Sequence, residues 1–131
     1  MTDTDKTETR RATCHCGAVE LNVRLTDGLN TARRCDCSFC RRRGAPAVSA
    51  PLDGIHVVRG ADKLTLYSFG THTAKHHFCS ICGVYMYHRR RSDPNQYGVN
   101  LYTIEGVEPK ETEPLPWLDG VNHPSDRDGA A

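Results

Sequence analysis

The chain has 131 residues, of which 17 are basic and 16 acidic, for a formal net charge of +1. That length suits one ordinary domain rather than two. No segment approaches the roughly 18 consecutive apolar residues of a membrane span, and residues 1–12 carry charges where a signal peptide needs an apolar stretch, so a cytoplasmic protein is expected. Hydrophobic residues make up 37%, enough for a modest core that calls for an added staple.

Residues 1–11 are rich in Thr, Asp, Glu, Lys and Arg without a hydrophobic period, and read as a disordered lead-in. From Ala18 the pattern alternates. Val19, Leu21, Val23 and Leu25 are apolar and Glu20, Asn22 and Arg24 polar, the period of a half-buried strand closed by Thr26-Asp27-Gly28. Further strands are expected near residues 47–50, 55–58, 64–69, 74–78, 84–88 and 97–103. Turn formers such as Pro51, Asp53-Gly54, Gly60, Gly70 and Asp93-Pro94-Asn95 separate them. One helical turn is expected over residues 38–43. Tyr85, Tyr87, Tyr97 and Tyr102 alternate with polar neighbours and read as core or cross-strand packing. The result is a mainly β single domain of twisted antiparallel sheets over residues 12–107.

Residues 108–131 form a Pro-rich acidic tail. From Gly106 onward lie four of the seven prolines, which argues against a central strand or a helix there. Trp117, the only tryptophan, is expected to pack as an anchor, with Leu115 and Leu118 beside it.

Seven cysteines set the chemistry. An odd number in tight clusters fits metal binding in a reducing compartment better than a disulfide framework. Cys14 and Cys16 form one zinc-type pair and Cys79 and Cys82 another, and a glycine, Gly17 or Gly83, follows each. Such a glycine can take φ > 0 and turn backbone N–H groups towards the sulfurs. Together the pairs would make a closed structural zinc site stapling distant strands. Iron is the alternative metal there.

Cys35, Cys37 and Cys40 are a separate set of three, the ligand number of a catalytic zinc with one open position. A closed site completed by His15, His76 or His77 is the competing reading, with one of His76 and His77 expected to face the metal region. His56, His72, His88 and His123 are read as ordinary polar residues. Uneven charge adds to the picture: residues 33–91 hold 11 basic and 3 acidic side chains, in part as Arg33-Arg34, Arg41-Arg42-Arg43 and Arg89-Arg90-Arg91. Each run lies near a cysteine cluster. That arrangement suits an anionic ligand or, alternatively, a solvated basic face.

The series Cys-His-Cys-Gly-Ala-Val (14–19), Cys-Asp-Cys-Ser-Phe-Cys-Arg-Arg (35–42), Phe-Cys-Ser-Ile-Cys-Gly (78–83) and Gly-Val-Asn (98–100) resembles the glutathione-dependent formaldehyde-activating enzyme family. Centromere protein V shares that zinc-binding domain. The resemblance implies two zincs per chain: a structural one on Cys14, Cys16, Cys79 and Cys82, and a catalytic one on Cys35, Cys37 and Cys40. It also implies a carbon–sulfur lyase that joins glutathione to formaldehyde. A thiol entering the open zinc position would ionise at neutral pH and add to the aldehyde, while Arg41, Arg42 and Arg43 meet the carboxylates of glutathione. The competing function is a non-catalytic zinc-stabilised module that binds a thiol ligand, nucleic acid or an acidic protein. Nucleic acid is disfavoured, because few aromatics interleave with the arginines and no reader motif appears.

Overall fold

The computed structural model describes residues 9–91 and 93–121. The lead-in through residue 8, His123 and the end of the tail lie outside the described residues.

Three sheets carry the fold. A three-stranded antiparallel sheet has the order β1-β2-β5, with β1 Thr9–Thr13, β2 Glu20–Arg24 and β5 Ile55–Arg59. A five-stranded antiparallel sheet has the order β4-β9-β8-β7-β6, with β4 Ala47–Pro51, β6 Leu64–Tyr67, β7 Lys75–Cys79, β8 Tyr85–Arg89 and β9 Gln96–Asn100. A short parallel pair joins β3 Arg34–Cys35 to β10 Trp117–Leu118.

The alternation from Ala18 behaves as expected: Val19, Leu21 and Val23 are fully buried, while Asn22 points outward. They form one core with Ala12 of the same sheet and with Val48, Met86, Val99 and Leu101 from the other sheet and its flank. This face-to-face burial of two inner surfaces is what pairs the sheets.

The helical turn over 38–43 is α1, Ser38–Arg43. Cys37 caps it in place of the usual Ser or Asp, its sulfur accepting from the Cys40 N–H at 3.3 Å. Gly44, at φ 74°, ends it. The expected strand at 97–103 stops at Asn100 because residues 101–103 form a 3₁₀ turn. The Asn100 side chain holds that turn, accepting from Tyr102 N–H at 3.1 Å and donating to the Tyr85 carbonyl at 2.8 Å.

Both ends of the chain depart from the sequence reading. Residues 9–11, placed in the lead-in, open β1 and pair with β2, because tertiary pairing overrides their polar composition. In the tail, Pro109 sits at the start of a single-turn helix, α2 Pro109–Thr112, where its missing N–H costs nothing. Trp117 and Leu118 enter a strand, and Trp117 is 64% exposed rather than an anchor. Backbone pairing holds this segment instead: Arg34 N–H donates to Pro116 O at 2.8 Å. Leu115 does pack against the core.

Among the described residues no helix is long and apolar enough to cross a membrane.

Candidate functional site

The four-thiol cluster joins the two main sheets. Cys14 and Cys16 follow β1, while Cys79 ends β7 and Cys82 lies in the turn before β8. Their sulfurs lie within 4.8 Å of one another, with Cys16 Sγ 3.7 Å from both Cys14 Sγ and Cys79 Sγ. Gly17 at φ 81° and Gly83 at φ 78° take the left-handed turn that L side chains avoid. These turns let backbone N–H groups reach the sulfurs. Val19 donates to Cys14 Sγ at 3.3 Å and Ile81 to Cys79 Sγ at 3.4 Å. Burial opposes ionisation of Cys82, yet backbone hydrogen bonds from Cys16 and Val84, together with those from the Cys79 and Cys14 side chains, bring the thiol down to about 6. Four soft donors, two of them deeply buried and supplied with N–H groups, suit a tetrahedral thiolate-binding metal such as zinc.

The second cluster, Cys35, Cys37 and Cys40, also lies within 4.8 Å. Hydrogen bonds from Cys35 and Cys40 hold the Cys37 thiol far below its ordinary range. The same sharing pushes Cys35 and Cys40 up. Three crowded sulfurs that hinder one another's ionisation are an arrangement that a cation relieves, so these donors also fit a metal. No histidine among the described residues completes either set at that reach. His15 is exposed beside the first cluster. His76 is committed elsewhere: Arg43 Nη1 donates to its Nδ1 at 2.9 Å, so the ring is neutral and its proton sits on Nε2. Burial, followed by the Arg43 charge, lowers its pKa to about 3.

The three thiols stand in the wall of a pocket that also includes Arg33, Phe39, Arg43, Phe69, His76, His88, Arg90, Arg91 and Gly120. The arginine run 41–43 does not act as a block, because successive helical residues turn by about 100°. Arg43 enters the pocket, lies 3.6 Å over the Tyr85 ring and donates to Cys40 Sγ at 3.4 Å. Arg41 lines a neighbouring recess beside Cys37. Arg42 folds back onto the Ser38 carbonyl at 2.8 Å and lines neither.

The pocket also draws on two of the other arginine runs and on residues that the sequence did not single out. Arg33 donates to the carbonyls of Thr31 and Ala47 at 2.9 and 3.2 Å, and Arg90 to Ser49 Oγ at 2.9 Å. Burial lowers the Arg90 pKa, with Asp93 opposing. His88, read as an ordinary polar residue, stacks 5.0 Å from His76 and bonds the Tyr85 hydroxyl through Nδ1 at 2.5 Å. Its ring occupies the space a Cβ on Gly98 would fill, so the Gly-Val-Asn segment makes room for the histidine. His77 turns to the other side and stacks on Tyr87 at 4.5 Å. Gly120, from the tail, lies so close that a Cβ there would stand 2.5 Å from Cys35 Sγ. Its N–H donates to Asp36 Oδ1 at 2.8 Å. The arginine runs and Gly98 were the available signals; the return of the tail left none strong enough.

Fold and site thus define a small two-sheet β protein with one four-thiol and one three-thiol centre, the latter opening onto a cationic pocket. Residues 9–116 match the glutathione-dependent formaldehyde-activating enzyme family, and the chain belongs to that family. A crystal structure of a Rhodobacter sphaeroides protein is similar, with a TM-score of 0.81 and 59% sequence identity over 82% of this chain and 99% of that one.

Proposed function

We propose that the protein is a zinc-dependent carbon–sulfur lyase that joins an anionic thiol, glutathione in the first instance, to an aldehyde such as formaldehyde. The observation that supports this most is the three-thiol set opening into a pocket whose wall carries Arg33, Arg43 and Arg90. Two zincs per chain fit the two thiol sets. Cys14, Cys16, Cys79 and Cys82 would hold the structural one, and Cys35, Cys37 and Cys40 the other. Zinc held by three thiolates supplies an open position at which an entering thiol ionises near neutral pH.

The chain's own residues do the rest. Arg33, bonded to two backbone carbonyls, and Arg90, bonded to a hydroxyl, keep donors for the substrate carboxylates. This assignment replaces Arg41 and Arg42 and retains Arg43 as the residue that steadies Cys40. The thiolate sulfur bonds to the carbonyl carbon, the C=O π pair moves to oxygen, and a solvent proton completes the hydroxyl of the hemithioacetal.

Exchange spectroscopy of formaldehyde with glutathione, with and without the zinc-loaded protein, tests the reading. We expect acceleration over the uncatalysed addition. Cys37→Ser should lower it at least about 100-fold while the fold persists, as for loss of a central stabilising group. An unchanged rate in that variant would refute the assignment.

A further inference from the structure

The pocket has two chemically different ends. The segment 33–43 crosses the face of the five-stranded sheet, from the Arg33–Ala47 bridge at β4 to the Arg43–His76 contact at β7. Three inter-strand spacings separate β4 from β7, roughly 14 Å. Arg33 and Arg90 stand at the β4 end, bonded to Ala47 and Ser49. At the β7–β6 end Phe39 packs against Tyr67, Phe69 and His76, with ring centroids 5.4, 5.4 and 4.4 Å apart. Phe39 and Phe69 are only partly buried, and both border the pocket. The wall beside them is completed by the small residues Gly70 and Ala74, which leave space in front of the rings. In sequence, Cys35 and Cys37 fall between Arg33 and Phe39, and Cys40 follows Phe39 directly.

Formaldehyde has a single carbon and no substituent, so it leaves those rings uncovered. We propose that the aromatic end is the subsite for the substituent of a larger aldehyde, and that the preferred carbonyl substrate carries an aromatic or extended apolar group. The proposal rests on the thiol–aldehyde reading above and deepens it. The peptide thiol takes its carboxylates to the arginine end and its sulfur to the cysteines, which leaves the wall of Phe39, Phe69, Gly70 and Ala74 for the aldehyde's substituent. Each methylene buried against the rings is worth about fourfold in affinity. The step itself is unchanged: an S–C bond forms, the C=O π bond opens, and the oxygen gains one proton.

Calorimetric titration of the zinc-loaded protein with S-benzylglutathione and with S-methylglutathione tests this without any turnover. Both thioethers keep the peptide's charged groups, and only one carries a ring. The wild-type protein is expected to bind the benzyl compound about tenfold tighter or more. Phe69→Ala should bring the two affinities within about twofold of each other, whereas Phe69→Tyr should keep the gap. Equal affinities in the wild-type protein would overturn the inference and leave the thiol reading standing. A gap that survives Phe69→Ala would overturn it too, by placing the ring elsewhere. If neither compound bound, the glutathione reading would fail and the aromatic subsite with it. The wild-type ratio decides even if a variant does not fold.

Discussion

His76 illustrates how a single contact fixes a residue's chemistry. Arginine has no acceptor atoms, so the Arg43–His76 bond can exist only with Nδ1 unprotonated, and the nearby guanidinium charge then resists a second proton. The sign of the pH effect follows. Above about 6.5, the ordinary histidine value, the ring is neutral both folded and unfolded. As pH falls from there towards about 3, the unfolded chain takes up a proton that the folded protein refuses, so stability declines. His76→Gln retains an acceptor for Arg43 and cannot titrate. Its denaturation free energy should therefore fall about 1 kcal/mol less per pH unit than wild type between pH 6 and pH 5. Urea titrations of both proteins at matched metal loading measure the difference; parallel slopes would show that the histidine already protonates in the folded state. The pair His76-His77 was legible as a place where one ring faces the site, but which ring could not be read. A bulge between His77 and Phe78 shifts the register in β7, and strand register decides facing.

At the level of elements, the strap from Pro116 to Gly120 matters more than its length suggests. It pairs in parallel with β3, and Asp36 reaches over to hold the Gly120 N–H. Its last described turn then passes directly over Cys35 and Cys37. A methyl group at 120 would meet Cys35 Sγ at 2.5 Å and Cys37 Cβ at 2.7 Å, far inside contact distance. Gly120→Ala should therefore loosen the three-thiol set, weakening its metal at least about tenfold, in the range for disturbed ligand supports. The four-thiol site should be unaffected. Cobalt substitution, read as thiolate-to-metal absorption with two separable affinities, checks this; equal loss at both sites would contradict it. The body strands and α1 were visible in the sequence because period-two alternation and turn residues mark them locally. The strap was not, because its stability comes from backbone bonds to β3, some 80 residues away in sequence, and prolines disguise a segment that needs few N–H donors.

The whole molecule depends on its two centres unequally. The four-thiol site links strands in different sheets, so a metal held there would add its binding energy directly to folding. The three-thiol site draws all its ligands from one short segment around the cap of α1. Mild chelation is expected to strip about one metal per chain with little change in circular dichroism. Stronger chelation, or Cys82→Ser, should then unfold the domain. Loss of both metals in one cooperative step would contradict this division. The cysteine spacing separates these two sets; the pocket beside the three-thiol set, assembled from β8, β7, α1 and the strap, has no linear signature.

The separation between Cys16 and Cys79 also has a consequence for biosynthesis. The first thiol pair leaves the ribosome more than 60 residues before the second, and until then Cys14 and Cys16 have only half a binding site. Translation at about 5–20 residues per second leaves that pair waiting for several seconds, open to stray metals and oxidants. The four-thiol site can therefore close only after most of the chain has been made.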